Sequence, residues 1–553
     1  MEGGRTSTDQ TEVEWQFDAP DLGAAEAWLS LLGGRKVGAA PVLTVQPGAR
    51  LSLVDHYMDT EDRRLGRAGL VLRIRQRGSD AEVTMKDVRP ASSSGLRRRL
   101  ELTEPLPEGG VAALGDQGPV GSRIAAVAGT RAVAPVLEVR TRRTPFSLVA
   151  GGDEVAEVAL DETVLVAGDG QRPARLRRVE VEASPGWVDR LEPVVEDLRA
   201  AAGLRPASLS KFESGMLAAG VRLPGPVELG PTDFSPTATV GEVVYAIVRR
   251  NIHAMLVHEP GTRLGEDPEE LHDMRVATRR LRAALALFAD ALPPRASLLR
   301  HELGWAARAL GAVRDLDVQL QNLGDLDAWS AGWPEGPMAV ATVRTLLQRS
   351  RDRARQDLLG VLDSPRWEAL TEALVALAQR GPRRQLAPGS LPAVVALPAL
   401  VRRRRRQAVR AARIARRTGE AADFHRLRIR CKWLRYAEEC PVELYGSDTV
   451  RFVKELARLQ DHLGRAQDAE VAAARFAALV GGDGRGTGPT LPATVTFMIG
   501  AMAEHVRQTA GDLRSDTATS LVALMGRPWE RLEAAMAART APSSVAPPDE
   551  RPS

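Results

Sequence analysis

Residues 272–282 read HDMRVATRRLR, and residues 425–435 read HRLRIRCKWLR. Four side chains at spacings of 0, 3, 7 and 10 recur 153 residues later: His272, Arg275, Arg279 and Arg282 return as His425, Arg428, Lys432 and Arg435. The same offset joins Leu310-Gly311 to Leu463-Gly464 without a gap. A constant offset across unrelated residue types indicates an internal duplication. Because the spacing lies on one face of a helix, the sequence predicts two copies of one basic helical surface.

The second half of the chain is predicted to be helical throughout. After Val240 it consists of long amphipathic runs rich in Ala, Leu, Arg and Glu. A helix expected over about 401–417 carries a further basic face, which includes Arg402, Arg406 and Arg410. A single helix of this kind is ordinarily a solvated surface, but the recurrence of the basic face favours a surface that binds an extended polyanion. The histidines lack a second ligand at helical spacing, so a phosphate hydrogen bond or a structural role is favoured over metal binding.

The first half, from about Thr11 to Pro185, is predicted to form antiparallel strands. Segments such as TEVEWQF, LVLRIRQR, AEVTMKD and RRVEVEA alternate in character and are bounded by turn residues. Like charges recur on one face of a strand, for example Glu12 with Glu14 and Arg73 with Arg75. A solvated face of this kind would be unfavourable, because neighbouring like charges destabilise a sheet. Acidic strands beside basic strands around a closed barrel instead predict a polar lumen that binds a divalent metal and a phosphate chain.

Composition and charge are consistent with two soluble domains. The chain has 553 residues and a net charge of +4, so its cations matter through their location. Its first residues resemble neither a signal peptide nor a transit peptide, and no apolar run approaches the roughly 20 residues of a membrane span. The two cysteines, Cys431 and Cys440, fall in a helical stretch rather than a disulfide framework, which favours the cytoplasm.

The strand motifs resemble the CYTH, or triphosphate tunnel metalloenzyme, superfamily. Glu12-Val-Glu14-Trp-Gln16 is similar to its ExExK signature, and further signatures follow in order, among them Tyr57-Met-Asp59-Thr60, Thr84-Met-Lys86 and Ser210-Lys211. The resemblance implies an eight-stranded antiparallel tunnel that hydrolyses triphosphates with Mg or Mn. It assigns metal binding to five acids, of which the first three are also assigned to catalysis: Glu12, Glu14, Asp161, Glu180 and Glu182. It assigns triphosphate binding to Arg73, Arg75, Lys86, Arg99 and Lys211, and to one arginine of the cluster Arg140, Arg142 and Arg143, for which we choose Arg140.

One position departs from the signature. Gln16 stands where the family has a lysine that contacts the triphosphate. A glutamine can donate a hydrogen bond to phosphate but carries no charge, so we expect weakened rather than absent binding.

The helical motifs resemble the CHAD domain. The similarity rests on residues 272–282, on Leu310-Gly311 with Arg314, Asp315 and Asp317, and on their counterparts in the second copy. It implies two pseudo-symmetric four-helix bundles whose basic surface binds inorganic polyphosphate. Eleven residues are expected to form that surface: His272, Arg275, Arg279, Arg282, Arg402, Arg406, Arg410, His425, Arg428, Lys432 and Arg435.

The sequence therefore predicts an α+β chain with a tunnel domain at 10–217, a linker at 218–236, a helical domain at 237–540 and a disordered tail at 541–553. The leading interpretation is a cytoplasmic, metal-dependent triphosphatase that acts on inorganic triphosphate or a related triphosphate and also binds polyphosphate. The main alternative is a non-catalytic polyphosphate-binding or targeting protein. Nucleic-acid binding is disfavoured, because only 4% of residues are aromatic and the repeated basic faces lack rings for base stacking.

Overall fold

A computed structural model of the chain describes residues 8–34, 37, 42–77, 80–88, 94–115, 118–166, 173–220, 227–382, 388–439, 442–481 and 491–540. The chain divides into two compact units, residues 1–226 and 227–553. The first unit is built around strands and the second consists of helices, so the predicted fold class is confirmed. Within the described ranges, no helix is both long enough and apolar enough to cross a membrane.

In the described part of the first unit, ten strands form the sheet. They are β1 (Thr8–Asp18), β2 (Thr44–Pro47), β3 (Leu51–Thr60), β4 (Leu70–Arg77), β5 (Asp80–Asp87), β6 (Leu96–Pro105), β7 (Val133–Ala150), β8 (Asp153–Val166), β9 (Ala174–Ala183) and β10 (Arg205–Pro206). Eight of them follow one another as β1, β6, β5, β4, β3, β7, β8 and β9, and β9 pairs with β1 to close the ring. The closed antiparallel barrel of eight strands is therefore confirmed, with β2 added to β7 and β10 added to β1.

Among the residues described for this unit, five α-helices and one 3-10 helix accompany the barrel. They are α1 (Leu22–Leu32), α2 (Arg64–Arg67), α3 (Pro119–Ala128), α4 (Val188–Ala201), α5 (Lys211–Ala218) and the 3-10 helix Gly110–Ala113. The alternating strands turn their apolar side chains away from the lumen, where Phe17, Leu160 and Val181 pack with Leu29 of α1 and Leu198 of α4. Because successive side chains of a strand point to opposite faces, this outer core directs the charged side chains inward.

The second unit contains the remaining helices. They are α6 (Val240–Leu264), α7 (Pro268–Leu287), the 3-10 helix Ala289–Ala291, α8 (Ala296–Ser330), α9 (Gly336–Leu362), α10 (Pro365–Arg380), α11 (Ala393–Thr418), α12 (Ala421–Glu439), α13 (Val442–Tyr445), α14 (Ser447–Gly481), α15 (Ala493–Ser520), α16 (Val522–Met525) and α17 (Arg527–Thr540). Helices α11 and α12 begin 153 residues after α6 and α7, so the backbone repeats with the same offset as the sequence.

A short backbone bridge relates the two copies. Thr239 and Pro392, which stand 153 residues apart, pair as an antiparallel bridge. The amide of Val240 donates to the carbonyl of Leu391, and the amide of Ala393 donates to the carbonyl of Ala238, both at 2.9 Å. The offset maps each hydrogen bond onto the other, so a local twofold axis passes through this bridge.

The amphipathic pattern implies an apolar stripe on each repeated helix, and both stripes lie in the core of the second unit. Met274 and Leu281 of α7 and Leu427 and Cys431 of α12 are all inaccessible to solvent. The core also includes Leu229, which precedes the first helix and is 4% exposed, so residues 227–236 belong structurally to the second unit. The expected disordered tail, residues 541–553, lies outside the described residues.

Candidate functional site

The barrel encloses a cavity of about 360 Å³ whose walls carry both signs of charge. Ten residues singled out from the sequence line it: Glu12, Glu14, Gln16, Arg73, Arg75, Lys86, Arg99, Glu180, Glu182 and Lys211. Strand register explains this convergence, since Glu12 of β1 stands opposite Arg99 of β6. On the other side of β1, Glu14 stands opposite Glu182 of β9. The neighbouring strands β1 and β9 thus both contribute acids to the lumen, whereas β4 and β6 contribute mainly arginines.

Two cations hold the acids of β1. The Nζ of Lys86 lies 2.8 and 2.9 Å from the two carboxylate oxygens of Glu12, and 3.0 Å from Glu101. The Nε of Arg99 donates to Glu12 at 2.9 Å, and its Nη2 contacts Glu14. Burial would raise the pKa of Glu12, but Lys86 and Arg99 lower it to about 2.

A second group of charges joins β7, β8, β9 and α5. Arg143 donates to both oxygens of Asp161 at 2.9 and 2.8 Å, and its Nη2 lies 2.6 Å from Glu180. Lys211 contacts Asp161 and lies 3.0 Å from Glu180. Burial opposes ionisation of Glu180, yet Lys211 and Arg143 hold its pKa well below the ordinary value. Asp161 is fully buried and does not line the cavity, so it positions these two cations.

The end of α5 explains why Lys211 is placed so firmly. Ser210 caps this helix by accepting a hydrogen bond from the amide of Glu213 at 3.1 Å, while Glu213 accepts one from the amide of Ser210 at 2.7 Å. This capping box fixes the first turn of the helix, in which Lys211 is the first residue.

Gln16 lies between two of the acids. It is 4% exposed, and its Nε2 donates to Glu14 at 2.8 Å and to Glu180 at 3.3 Å. Both partners are carboxylate oxygens, so the amide nitrogen must face them. Its Oε1 is therefore turned away from the acids, and this buried acceptor has no hydrogen-bond partner among the described residues.

Two acids remain without full compensation by cations. Burial raises the pKa of Glu14, and the charges of Glu12 and Glu180 contribute to the increase against the effect of Arg99. Glu182 lines the cavity with its side chain exposed to solvent. Partial burial of its carboxyl, with the charges of Glu12 and Glu14, raises the pKa of Glu182 to about 7. These carboxylates favour the approach of positive charge.

The structure also places residues that the sequence did not single out. Asp55 of β3 forms a bidentate ion pair with Arg75, at 2.7 and 2.9 Å. Arg140 does not join the lumen, because its side chain is 65% exposed and pairs with Glu138. Arg143 lines the cavity instead. The two arginines are three positions apart, so they point to opposite faces of β7. Arg143 stands opposite Asp161 in the pairing of β7 with β8, so the two side chains lie on the same face of the sheet. The position of Asp161 could therefore have identified Arg143.

The carboxylates of the lumen are the donor type that a hard divalent cation takes. The raised pKa values of Glu14 and Glu182 fit such a cation. Among the described residues, however, no three His, Cys, Asp or Glu side chains are already grouped as a metal site. The physical reason lies in the ion pairs, since Lys86 and Arg99 occupy the oxygens of Glu12.

In the second unit, the basic faces of the two copies meet. Helices α7 and α12 contact each other. Burial lowers the pKa of Lys432 to about 7, with further contributions from Arg428 on its own helix and from Arg279 and Arg275 on the other copy. Four cations thus lie close enough to repel one another. The buried Nε atoms of Arg279, Arg282 and Arg428 have no hydrogen-bond partner in the described part of the chain. A surface with unused donors and mutual repulsion is suited to an anion.

Small residues and acids shape this surface. A Cβ on Gly304 of α8 would lie 3.2 Å from the Nη2 of Arg282, so this glycine leaves room for an arginine of α7. A Cβ on Gly311 would lie 3.8 Å from the Nε of Arg275, which is an ordinary van der Waals distance. Arg275 also pairs with Asp315 at 3.2 Å. In the second copy, the Nδ1 of His425 lies 2.6 Å from Gln467, which stands where the first copy has Arg314.

The α11 arginines are placed differently. Arg402 donates to Glu533 of α17 at 2.6 Å, while Arg406 and Arg410 are exposed. None of the described contacts joins these three residues to the α7–α12 surface. Binding of polyphosphate by these three arginines together with the other eight residues stays a prediction.

Each half of the chain matches a known protein family. Residues 36–216 match the family model of the CYTH domain, and residues 246–477 match that of the CHAD domain. The CYTH match begins after β1, which carries Glu12, Glu14 and Gln16, although β1 completes the barrel. No curated protein matches the chain significantly.

Three solved structures are similar to parts of the chain. The CHAD domain of the plant Ricinus communis is 27% identical with a TM-score of 0.42, over 54% of this chain and 96% of that chain. PptA of Streptomyces chartreusis is 20% identical with a TM-score of 0.42, over 51% of this chain and 100% of that one. HpAC1 of Hippeastrum, described as having a dominant triphosphatase activity, is 17% identical with a TM-score of 0.28, over 38% of this chain and 98% of its own.

Proposed function

Because the chain consists of a CYTH domain followed by a CHAD domain, we propose that it is a divalent-metal-dependent triphosphatase whose helical domain binds inorganic polyphosphate. The observation that carries the proposal is the closed lumen, where two acids with raised pKa values face a set of lysines and arginines. A protein that only bound polyanions would gain from the cations, but the acids would weaken its affinity.

The cations of the lumen would bind the phosphate chain. Arg73, Lys86, Arg99 and Lys211 line the cavity, and Arg143 adds a guanidinium that can contact two phosphate oxygens at once. Four of these cations, Lys86, Arg99, Arg143 and Lys211, are paired with Glu12, Asp161 and Glu180, and Arg73 lies 3.9 Å from Glu101. Phosphate oxygens would compete for the same donors. Binding of substrate would therefore release carboxylate oxygens of the lumen.

The released acids would then be available to a metal ion. Glu12, Glu14 and Glu182 are the residues that would hold Mg or Mn, because they face the same cavity from neighbouring strands. A bound cation would neutralise phosphate charge and lower the pKa of water. Glu180, kept ionised by Lys211 and Arg143, can orient a water molecule by accepting a hydrogen bond from it. Hydrolysis of a phosphoanhydride needs chiefly this positioning and charge neutralisation, with no protein nucleophile.

A non-catalytic polyphosphate-binding protein is the second candidate. Gln16 favours it, because the neutral amide contributes no charge to phosphate binding and two acids already occupy its donor nitrogen. The first candidate hydrolyses a triphosphate, whereas the second binds polyphosphate without hydrolysing a triphosphate.

Release of phosphate from a substrate panel separates them. The panel contains inorganic triphosphate, thiamine triphosphate, a nucleoside triphosphate and long-chain polyphosphate, each with Mg, with Mn and with a chelator. We expect release from at least one triphosphate only when the metal is present. If no phosphate is released from any of these substrates, the triphosphatase proposal is wrong and the polyphosphate-binding protein replaces it.

A further inference from the structure

A groove between α11 and α12 carries arginines that the duplication does not explain. It encloses about 320 Å³ and has seven lining residues, three of them arginines: Gln407, Arg410, Ala411, Ile414, Asp423, Arg426 and Arg430. Arg426 and Arg430 follow His425 and Arg428 by one and two positions. Each step turns about 100° around the helix, so the groove lies on a different side of α12 from the repeated basic face.

The groove is exposed and strongly positive. Arg410, Arg426 and Arg430 are all exposed, and the side chain of Arg426 is 68% accessible. Asp423 is the one carboxylate among the lining residues, and Arg426 donates to it at 3.0 Å. Two arginines therefore remain without a carboxylate in the groove. Burial lowers the pKa of the adjacent Arg404, and Arg403 and Arg430 contribute, so further guanidinium groups lie close by.

The first copy supplies an internal control for this charge. Removing the offset of 153 residues maps Arg410, Arg426 and Arg430 onto Val257, Asp273 and Ala277. Ala277 is buried in the core, so packing explains why the first copy has no cation at that position. Val257 and Asp273 are exposed, as Arg410 and Arg426 are, so these two solvent-facing positions differ between the copies in charge. A ligand of the second copy accounts for the two added arginines.

The chemistry of the groove favours a phosphate polymer without bases. Guanidinium groups bind phosphate oxygens in pairs. The exposed face of α11 extends the groove with Arg406, Arg413 and Arg417, which continue for about three helical turns. The lining residues include no aromatic ring on which a base could stack. Inorganic polyphosphate fits these features better than a nucleic acid.

We propose that the α11–α12 groove is a second polyphosphate site, separate from the repeated α7–α12 face and confined to the second copy. The inference rests on the proposed polyphosphate binding of the helical domain and specifies where a long chain makes additional contacts. A chain that engages both sites gains affinity that a short one does not.

The first test removes the groove charge from the full-length protein. Arg410, Arg426 and Arg430 are changed together to glutamine. A matched control changes three other exposed arginines to glutamine, Arg349, Arg353 and Arg531. We expect long-chain polyphosphate to bind the groove variant roughly ten- to a hundredfold more weakly than the control variant. The dependence of log K on log salt should decrease in slope by about 2, as three contacts are lost.

The second test builds the groove into the first copy. Val257 and Asp273 are exposed, so Val257→Arg with Asp273→Arg adds cations without disturbing the core. We expect this variant to bind long-chain polyphosphate several-fold more tightly than the unmodified protein. All variants should keep the helical circular dichroism of the parent.

The outcomes separate the inference from the proposed function. Equal affinity of the groove variant and its control, when the parent binds polyphosphate, would refute the groove and leave the domain's polyphosphate binding intact. Absence of binding by the parent would overturn both. A groove variant that loses affinity for RNA of similar charge but retains its affinity for polyphosphate would show that the groove takes a nucleic acid, contrary to the inference.

Discussion

Gln16 shows how a single side chain changes the electrostatics of the lumen. Its amide nitrogen lies 2.8 Å from Glu14 and 3.3 Å from Glu180, where a lysine would place a charge between two carboxylates. The neutral side chain leaves both acids with less compensation, and Glu14 has a raised pKa. A lysine could also reach a bound phosphate with its remaining donors.

We therefore expect Gln16→Lys to raise triphosphatase efficiency several-fold. A charged donor to phosphate contributes about 1.5–3 kcal/mol and a neutral donor about 0.5–1.5 kcal/mol. The difference is on the order of 1 kcal/mol, or somewhat less than tenfold in kcat/KM. The measurement is kcat/KM on the best triphosphate, with Gln16→Met as the control that removes all polar contacts. A decrease in the lysine variant would show that the site is adapted to a neutral residue.

Glu182 predicts a pH dependence near neutrality. Its pKa is about 7 in the folded state, above the ordinary 4.5, so the carboxyl is protonated below pH 7 and ionised above it. Without metal, the proton stabilises the fold at low pH, and this contribution is lost as the pH rises through about 7. A divalent cation competes with that proton, so metal affinity should increase over the same range.

The expected result is a rise in Mn affinity with pH, centred near pH 7, in the unmodified protein. Glu182→Gln should abolish that rise, because the amide does not titrate. Titration of Mn binding by calorimetry at several pH values provides the measurement. An identical pH dependence in the glutamine variant would assign the titration to another group.

At the scale of elements, the meeting of α7 and α12 was only partly foreseeable. The offset of 153 residues predicted two similar helices, and their buried stripes are confirmed. Arg275 and Arg279 lower the pKa of Lys432 only because the two copies pack together around the Thr239–Pro392 bridge. No local pattern encodes that packing. The α11 arginines illustrate the converse, since a basic face on a helix does not specify which neighbour it meets.

Neutralising the shared α7–α12 face should remove most polyphosphate affinity. The variant changes Arg275, Arg279, Arg428 and Lys432 to glutamine, and its control changes four exposed arginines: Arg349, Arg353, Arg527 and Arg531. We expect the affinity for polyphosphate to fall by about a hundredfold or more at low salt. The affinity should also depend much less on salt, because fewer contacts release fewer counterions. Fluorescence titration across a salt series measures both. Equal binding by the two variants would mean that the repeated face is a solvated surface.

The barrel was more predictable than its accessory parts. The alternation of apolar and charged residues predicted both the strands and the side chains that face the lumen. This was possible because the two-residue period of a strand can be recognised over a few residues. Arg143 and Asp55 were not singled out, because their roles depend on register across strands. Helix α1 was also missed inside the segment predicted as strands, and α4 follows directly after that segment. The apolar faces of α1 and α4 are buried only because they pack against the outer surface of the barrel.

For the whole molecule, the start of the helical unit has a measurable consequence. Leu229 is 4% exposed in the helical core, and the carbonyl of Pro231 accepts a hydrogen bond from Arg249 at 3.0 Å. A fragment of residues 227–540 should therefore be more stable than one of residues 237–540, by at least the roughly 1.5–3 kcal/mol of one buried leucine. Urea denaturation gives the comparison, and Leu229→Ala in the longer fragment should reproduce most of the loss. Equal stability would show that this segment contributes nothing to the second unit.

The most direct test of the catalytic lumen is metal-dependent phosphate release by Glu14→Ala beside Glu162→Ala. Glu14 is 4% exposed and lines the cavity, whereas Glu162 of β8 is exposed. The account predicts that the unmodified protein and Glu162→Ala hydrolyse at least one triphosphate with Mg or Mn at similar rates. Glu14→Ala should lose about a hundredfold or more in kcat/KM while keeping the circular dichroism of the parent. Unchanged metal-dependent turnover in a folded Glu14→Ala protein would contradict it.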